Sequence, residues 1–353
     1  MKKSRPKSTS QASGKLPKHR REVSLSSSAK SDQTQTFDSR LTRRLETIVT
    51  SGGAAHAYLL LGPRGAGKEV LAEKLAIGLA CTKPDRGVAC GDCPSCALAA
   101  RSIHPDILTL DYSPGTGHGI DDVRSILRRL AHAPSHGRRR VCIIKRADQL
   151  TEEASNALLK TLEEPAGETV IVLTAVHLTA VPPTVISRCA IVNLVLPTVE
   201  QLKAKLMDGG WPAATAGKIA ALSEGRTAYA EFLADHPDAA DRAFADGEIL
   251  TTALRAPIHQ RIKMAEELSD YFGDHDEDIL ERWESVGRGL LKEVVGLSDR
   301  SAWRDQSRGL SGQLNERQAQ GILQAVIDAR RTLDVSSNPR LTLESFFLHL
   351  PQP

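Results

Sequence analysis

The sequence is poor in aromatic residues, in net charge and in long apolar runs, and each shortage excludes a class of protein. Four Tyr, three Trp and six Phe in 353 residues offer no platform on which single-stranded bases could stack. The formal net charge of +3 creates no global field toward nucleic acid or an acidic membrane. No apolar run approaches the ~20 residues of a membrane-spanning helix, and the polar N-terminus lacks the apolar core of a signal peptide. We therefore expect a cytoplasmic protein without membrane contact.

The composition and the apolar pattern of the sequence change twice along the chain. Residues 1–37 are rich in Ser, Lys, Arg, Gln and Thr and show no apolar period, which predicts a disordered basic tail. Residues 38–197 alternate short apolar runs with helical patterns, which is typical of an α/β domain. Strand patterns stop after residue 197, so we expect a small helical domain at 198–256 and a second all-α domain at 257–353.

Five short apolar runs in the α/β domain predict strands that are buried on both faces. The runs are continuously apolar, a pattern that is typical of parallel sheets covered by helices on both sides. The predicted strands occupy residues 58–61, 107–110, 141–144, 170–173 and 191–194. Helical patterns between them lie near residues 69–80, 120–132, 151–163 and 183–187. Alternation of this kind predicts a parallel sheet in an α/β fold.

A glycine-rich segment, GPRGAGKE, follows the first predicted strand and precedes a helical pattern. Gly62, Gly65 and Gly67 would let backbone N–H groups turn toward an anion at the helix N-terminus, and Lys68 would reach the outer phosphates of a nucleotide. A chance glycine-rich turn is the alternative, which the strand and helix on either side disfavour. The next position of a phosphate loop carries Ser or Thr, whose hydroxyl binds Mg²⁺, whereas this chain has Glu69.

The end of the third predicted strand also departs from a nucleotide hydrolase. Such enzymes need carboxylates at this place, one to hold Mg²⁺ and one to activate the attacking water. Here the strand ends in Lys145 and Arg146, and Asp148 follows in the next turn. Two independent losses predict that the chain has no intrinsic ATPase activity. Binding of ATP through the loop backbone is a separate question, and we expect it to be absent or weak.

Cys81, Cys90, Cys93 and Cys96 form a cluster after the helical pattern that follows the loop. Four thiolates make a closed tetrahedral shell with no open position for a substrate, which predicts a structural metal site. An iron–sulfur centre uses similar spacings and is the main alternative. Disulfides rank third in a reducing compartment.

Two further segments carry a resemblance to a known family. ASNALLKTLEEP at 154–165 and PTVISRC at 183–189, with the loop between HAYLLLG and LAIGLAC, resemble the delta-prime family of bacterial DNA polymerase III clamp-loader subunits, members of the AAA+ superfamily. The likeness reaches the C-terminus, where NPRLTLESFFLHL at 338–350 is similar to the end of the family's third domain. The related gamma and tau subunits share the Ser-Arg-Cys tripeptide but carry an intact Lys-Thr loop and an Asp-Glu strand end, which this chain lacks.

The resemblance implies both a fold and a role. It implies an AAA+ domain with a zinc-binding insertion at 81–96, a helical lid at 198–256 and an oligomerising collar at 257–353. It also implies a five-subunit ring with gamma/tau and delta subunits, which loads the sliding clamp on primed DNA. By resemblance Arg188 is an arginine finger for the neighbouring subunit's nucleotide, and zinc is favoured over iron at the cysteines. The plainer alternative for Arg188 is a cation that caps a helix C-terminus.

Two other functions stay open at this point. One is an ATP-hydrolysing motor of the gamma/tau type, in which Glu69 and Asp148 would replace the lost metal ligands. The other is a zinc-stabilised module that binds nucleic acid, against which the near-neutral charge counts. Arg138, Arg139 and Arg140 could contact duplex phosphates, and a solvated loop explains them equally well.

Overall fold

Five parallel strands form one sheet, as the apolar runs predict. The computed structural model describes residues 55–351 except 86–87, 112–117, 273–275, 299–300 and 336–337, so the predicted tail at 1–37 and residues 38–54 lie outside the described residues. The strands are β1 (Ala57–Leu61), β2 (Ile107–Leu110), β3 (Arg140–Ile144), β4 (Thr169–Ala175) and β5 (Ala190–Asn193). Their order is β2-β3-β4-β1-β5, and all neighbouring strands are parallel.

Alternate residues of each strand enter separate apolar clusters on the two faces of the sheet. In β1, Leu59 packs into one cluster and Leu60 into the other. Strands β1, β3 and β4 are buried along their whole length. Their sequences are continuously apolar because neither face of the central sheet meets solvent.

Helices cover both faces of this sheet. They are α1 (Lys68–Ala80), α2 (Pro94–Ala100), α3 (Ile120–Leu130), α4 (Glu152–Glu163) and α5 (Pro183–Ile186). Leu71 and Leu75 of α1 join the cluster on one face, and Ile126 of α3 and Leu158 of α4 join the cluster on the other. The sequence patterns predict four of these helices. They miss α2, which lies within the cysteine segment.

The described residues after β5 form helices and their connections. They are α6 (Val199–Asp208), α7 (Ala213–Ser223), α8 (Thr227–Asp235), α9 (Pro237–Arg255), α10 (Ile258–Phe272), α11 (Asp276–Val294), α12 (Arg304–Ser311), α13 (Glu316–Val335) and α14 (Pro339–His349). One cluster of buried apolar residues runs through this region from Leu202 to Leu350. The buried Arg261 donates hydrogen bonds to the carbonyl oxygens of Leu254 and Leu350, which ties α9 to the end of α14. The division at residue 256 stays a prediction. Within the described ranges, every helix is too short or too polar to cross a membrane.

Candidate phosphate loop, arginine edge and metal centre

The glycine-rich segment forms the turn between β1 and α1. Gly65 and Gly67 have φ angles of +72° and +91°, in the left-handed region that glycine adopts without steric cost. The N–H of Gly62 donates to the carbonyl oxygen of Ala175 at 3.3 Å, which extends the pairing of β1 with β4. The strand–loop–helix arrangement expected of a phosphate loop is present at residues 62–68.

Lys68, the first residue of α1, is only 1% exposed, and its ammonium group bonds within its own loop. Nζ donates to the carbonyl oxygen of Pro63 at 3.3 Å and forms an ion pair with Glu69 Oε1 at 3.1 Å. The charge that attracts phosphate in a working loop is therefore balanced by the adjacent carboxylate. Glu69 stands where a phosphate loop carries the hydroxyl that binds Mg²⁺.

Helix α8 of the helical region packs directly on the loop. The N–H of Tyr229 donates to the carbonyl oxygen of Gly65 at 3.0 Å, and Thr227 Oγ1 donates to that of Ala66 at 3.1 Å. A Cβ atom placed on Gly65 would lie 2.6 Å from Tyr229 Cβ, closer than side chains approach one another. The loop is thus in van der Waals contact with α8 on the side of Gly65.

Tyr229 is itself fixed by the neighbouring helices. Its hydroxyl accepts a hydrogen bond from Arg282 Nη2 at 3.0 Å, and Arg282 Nη1 forms an ion pair with Asp246 at 3.0 Å. The guanidinium of Arg226 lies 4.7 Å from the centre of the Tyr229 ring and is paired with Glu281. The side chain that touches the phosphate loop is therefore held by contacts to α9 and α11.

Lys145 and Arg146 follow β3 directly, as the sequence indicates, and both are ion-paired. Lys145 Nζ lies 2.8 Å from Asp111 Oδ1 and 3.4 Å from Glu73 Oε1. Although burial lowers the pKa of Lys145, the hydrogen bond and charge of Asp111 more than offset it, so the pKa is raised. Arg146 Nε pairs with Asp148 Oδ2 at 3.2 Å.

Asp148 and Thr174 are engaged in structural hydrogen bonds near this strand end. Asp148 Oδ1 accepts the N–H of Val176 at 3.2 Å, so both of its carboxylate oxygens have partners. The buried hydroxyl of Thr174 accepts the N–H of Arg146 at 3.2 Å. These contacts join the ends of β3 and β4.

Arg188 follows α5 and its side chain is 33% exposed. Its Nε donates to Glu163 Oε1 at 2.9 Å, and its Nη2 is ion-paired with the same oxygen. Its Nη1 donates to the carbonyl oxygen of Thr184 at 2.8 Å and to Ser187 Oγ at 3.2 Å. The guanidinium thus caps α5 while lying at the surface of the α/β domain.

The four predicted cysteines meet after the C-terminal end of α1. The Sγ atom of Cys81 lies 3.6 Å from that of Cys90, 3.8 Å from that of Cys93 and 3.7 Å from that of Cys96. All four sulfur atoms lie within 4.8 Å of one another. Burial raises the pKa of Cys93, but hydrogen bonds from Thr82 and the Cys96 amide outweigh it and lower the pKa to about 5. The cluster has the form of a shared ligand set for one metal ion.

A buried polar network lies beside the cysteines, and no motif in the sequence predicts it. Ser95 Oγ donates to the carbonyl oxygen of Ala80, the last residue of α1, at 3.0 Å, and lies 2.7 Å from His104 Nε2. His104 Nδ1 accepts the N–H of Asp106 at 3.1 Å, so Nε2 carries the proton and donates to Ser95. Burial lowers the pKa of His104 and favours this neutral form.

Asp106 is the second feature that sequence reasoning misses. Its buried carboxylate accepts the N–H groups of Ser135, His136 and Gly137 at 2.7–3.0 Å and pairs with Arg140 Nη2 at 2.9 Å. Burial alone raises the pKa of a carboxyl group, but these hydrogen bonds hold the pKa of Asp106 well below its ordinary value. No spacing in the sequence marks these residues as neighbours, because Asp106 and Ser135 meet only through the register of β2 and β3.

The strand order, the glycine loop between β1 and α1 and the helical region after β5 form a parallel α/β domain followed by helices, which is the architecture that the resemblance to the AAA+ superfamily implies. Residues 37–197 match the family model described as DNA polymerase III, delta subunit. The chain is 38% identical over 184 residues to subunit delta' of DNA polymerase III from Pseudomonas aeruginosa, and 39% identical over 150 residues to that of Haemophilus influenzae. Through residues 37–197 the chain is similar to DNA polymerase III delta-prime subunits.

These alignments cover part of each protein. They span 51% and 41% of this chain and 56% and 44% of the two relatives, so the chain spans about half the length of the curated relatives it matches. Subunit tau of Escherichia coli is 31% identical over 263 residues, which is 71% of this chain and 40% of that protein. The solved structure of a DNA polymerase III gamma subunit-related protein from Thermotoga maritima is 19% identical, with a TM-score of 0.41, over 86% of this chain and 98% of that one.

Proposed function

We propose that this chain is a clamp-loader subunit of DNA polymerase III that does not hydrolyse ATP itself and that supplies Arg188 to the nucleotide site of an adjacent subunit. One contrast carries the proposal. The chain's own α8 covers its phosphate loop through Tyr229 and Thr227, whereas Arg188 lies at the surface of the same domain. The similarity of residues 37–197 to delta-prime subunits supports the assignment to this complex.

The contacts of the phosphate loop oppose nucleotide binding. A triphosphate needs inward-facing N–H groups and a lysine ammonium that can reach its outer oxygens. Lys68 would have to leave Pro63 and Glu69 before its ammonium group could reach a phosphate. The repulsion between Glu69 and a triphosphate acts in the same direction. We therefore propose that ATP binding by this chain is absent or weak.

The end of β3 opposes hydrolysis independently. The ammonium of Lys145 lies between Glu73 and Asp111, so it neutralises the nearby carboxylates that could otherwise bind a metal ion. Asp148, the first acidic residue after the end of β3, already accepts hydrogen bonds at both carboxylate oxygens. Hydrolysis of ATP requires one carboxylate to hold Mg²⁺ and a second to activate water. Glu73, Asp111 and Asp148 are each paired with a cation, so none of them is available for either role.

Arg188 is suited to act on another subunit's nucleotide. A planar guanidinium can bind a phosphoryl group through two parallel hydrogen bonds and neutralise charge that develops during transfer. The resemblance to clamp-loader subunits supports such a role for Arg188 at the boundary between neighbours. We propose a five-subunit ring with gamma/tau and delta subunits, in which this chain is a scaffold and the assembled ring loads the sliding clamp on primed DNA.

We propose that the four cysteines bind one structural zinc ion. A tetrahedral site with Zn–S bonds of about 2.3 Å has sulfur atoms about 3.8 Å apart. The distances from Cys81 to the other three sulfurs, 3.6–3.8 Å, fit a single ion of this size. A four-iron cluster, in which each cysteine binds a different iron atom, would hold the four ligand sulfur atoms farther apart than a single zinc ion does. Cys81, Cys90, Cys93 and Cys96 would hold the zinc, whose role is to order the segment around α2.

An ATP-hydrolysing motor of the gamma/tau type is the second candidate function. The observation that favours it is the alignment with subunit tau of Escherichia coli, which spans 71% of this chain. In that case Glu69 and Asp148 would have to bind the metal ion. Their pairing with Lys68 and Arg146 favours the non-hydrolysing function instead.

The proposed role of Arg188 is tested in a reconstituted loader. The substitution Arg188→Ala should leave assembly intact and lower turnover of ATP at the affected boundary by up to about 10³-fold. Arg128→Ala, which removes an exposed arginine of α3, is the matched control and should leave turnover unchanged. Unchanged ATPase activity of the Arg188→Ala complex would overturn the proposal.

A further inference from the structure

Glu163 binds the edge of the Arg188 guanidinium that a phosphate would need. Arg188 Nε and Nη2 both donate to Glu163 Oε1. On the opposite edge, Nη1 donates to the carbonyl oxygen of Thr184 and to Ser187 Oγ. A guanidinium carries five N–H donors, so these four contacts leave one of them for any other acceptor. Arg188 cannot receive a phosphoryl group through two bonds without giving up one of these partners.

The partner most directly in competition with a phosphate is Glu163. Carboxylate and phosphate are both anions that accept paired hydrogen bonds from the same edge of a guanidinium. We propose that Glu163 is a positioning residue, which holds Arg188 on its own chain until a phosphate of the nucleotide bound by the adjacent subunit displaces the carboxylate. The inference rests on the proposed role of Arg188 and adds the group that controls its availability.

The pair is placed so that this exchange is easy. The side chains of Arg188 and Glu163 are 33% and 51% exposed, and solvent-exposed ion pairs are weak and screened by salt. Glu163 is the last residue of α4, and Arg188 lies just beyond the end of α5. Rotation of the two side chains therefore breaks the contact without moving either helix.

The substitution Glu163→Gln tests the inference in the reconstituted complex, because glutamine keeps the shape of the side chain and removes its charge. We expect kcat/KM for ATP to rise roughly two- to fivefold at low salt, mainly through a lower KM, and the gain to shrink as salt is added. The gain should vanish in the Arg188→Ala background. Glu164→Gln, which changes the adjacent exposed carboxylate, is the control and should leave kcat/KM unchanged.

The outcomes separate this inference from the proposed function. If Arg188→Ala lowers turnover while Glu163→Gln leaves kcat/KM unchanged or lowers it, Glu163 does not withhold the arginine and this inference alone fails. An equal gain from Glu163→Gln with and without Arg188 would also overturn it. If Arg188→Ala has no effect on turnover, the proposed function itself fails.

Discussion

Each end of helix α1 carries a ligand-binding pattern, and the side chains of the two patterns have different kinds of partner. At the N-terminal end, Lys68 bonds Pro63 and Glu69, and Tyr229 packs on Gly65, so the lysine charge that would attract phosphate is balanced within the protein. At the C-terminal end, the four cysteine sulfurs lie within 4.8 Å of one another. The difference teaches that a motif in sequence marks a geometry, whereas the partners of its side chains decide whether that geometry can still bind.

The largest effect is expected at the cysteine end of the helix, where we propose a zinc site. Cys93→Ser should reduce bound zinc from about one ion per chain to little or none and should expose the cysteine segment, since structural zinc contributes on the order of 10 kcal/mol in small domains. Elemental analysis and hydrogen exchange of the Cys90 and Cys96 amides measure both results. Cys189→Ser, which changes a cysteine outside the cluster, should retain the metal. Equal metal content in the two variants would contradict the proposed metal centre.

A smaller effect is expected at Asp106, whose network supports the same end of α1. Asp106→Asn should lower the free energy of unfolding by about 4 kcal/mol at neutral pH, because a buried charge pair and its hydrogen bonds are broken. The folded-state pKa of Asp106 is depressed, so its contribution is present above the unfolded value of about 3.9 and is lost as pH falls toward the folded value.

The wild-type protein should therefore lose stability below about pH 4 more steeply than the Asp106→Asn variant. Urea unfolding at a series of pH values measures this difference. Asp208→Asn, which changes an exposed carboxylate at the end of α6, should follow the wild type. Parallel curves for wild type and Asp106→Asn would show that the network does not depend on charge.

The contact between α8 and the phosphate loop is tested by a pair of glycine substitutions. Gly65→Ala adds a Cβ 2.6 Å from Tyr229 Cβ at a φ of +72°, so we expect a loss of about 2–3 kcal/mol. Gly167→Ala has a similar positive φ but no atom within 4 Å of the added Cβ, so it should cost only about 1 kcal/mol. Thermal or urea unfolding gives both values, and equal losses would mean that α8 does not press on the loop.

The sequence predicts the sheet and both ligand-binding patterns because these are local signals. Continuous apolar runs mark strands buried on both faces, and the glycines and cysteines stand at characteristic spacings. It does not predict that Tyr229 covers Gly65 or that Asp106 binds the amides of residues 135–137, since these contacts join segments far apart in the chain. The pairing of Arg188 with Glu163 is hidden for the same reason.

The smallest expected effect concerns the missing magnesium ligand. Glu69→Thr restores the residue type of a working phosphate loop, but α8 still covers Gly65 and cations still follow β3 at Lys145. We therefore expect no gain in ATP affinity, measured by calorimetric titration in the presence of Mg²⁺. Micromolar binding by this single variant would show that the charge of Glu69, rather than the packing of α8, closes the loop.

The most direct test of the account is ATP turnover by the isolated chain of 353 residues. The pairing of Lys68 with Glu69 and the cations after β3 predict a rate no higher than that of the Lys68→Met variant purified in the same way. A turnover of about 1 s⁻¹ or more, within the usual range of enzymes, that Lys68→Met abolishes would contradict it. That result would assign the chain its own ATPase site and replace the scaffold with a motor.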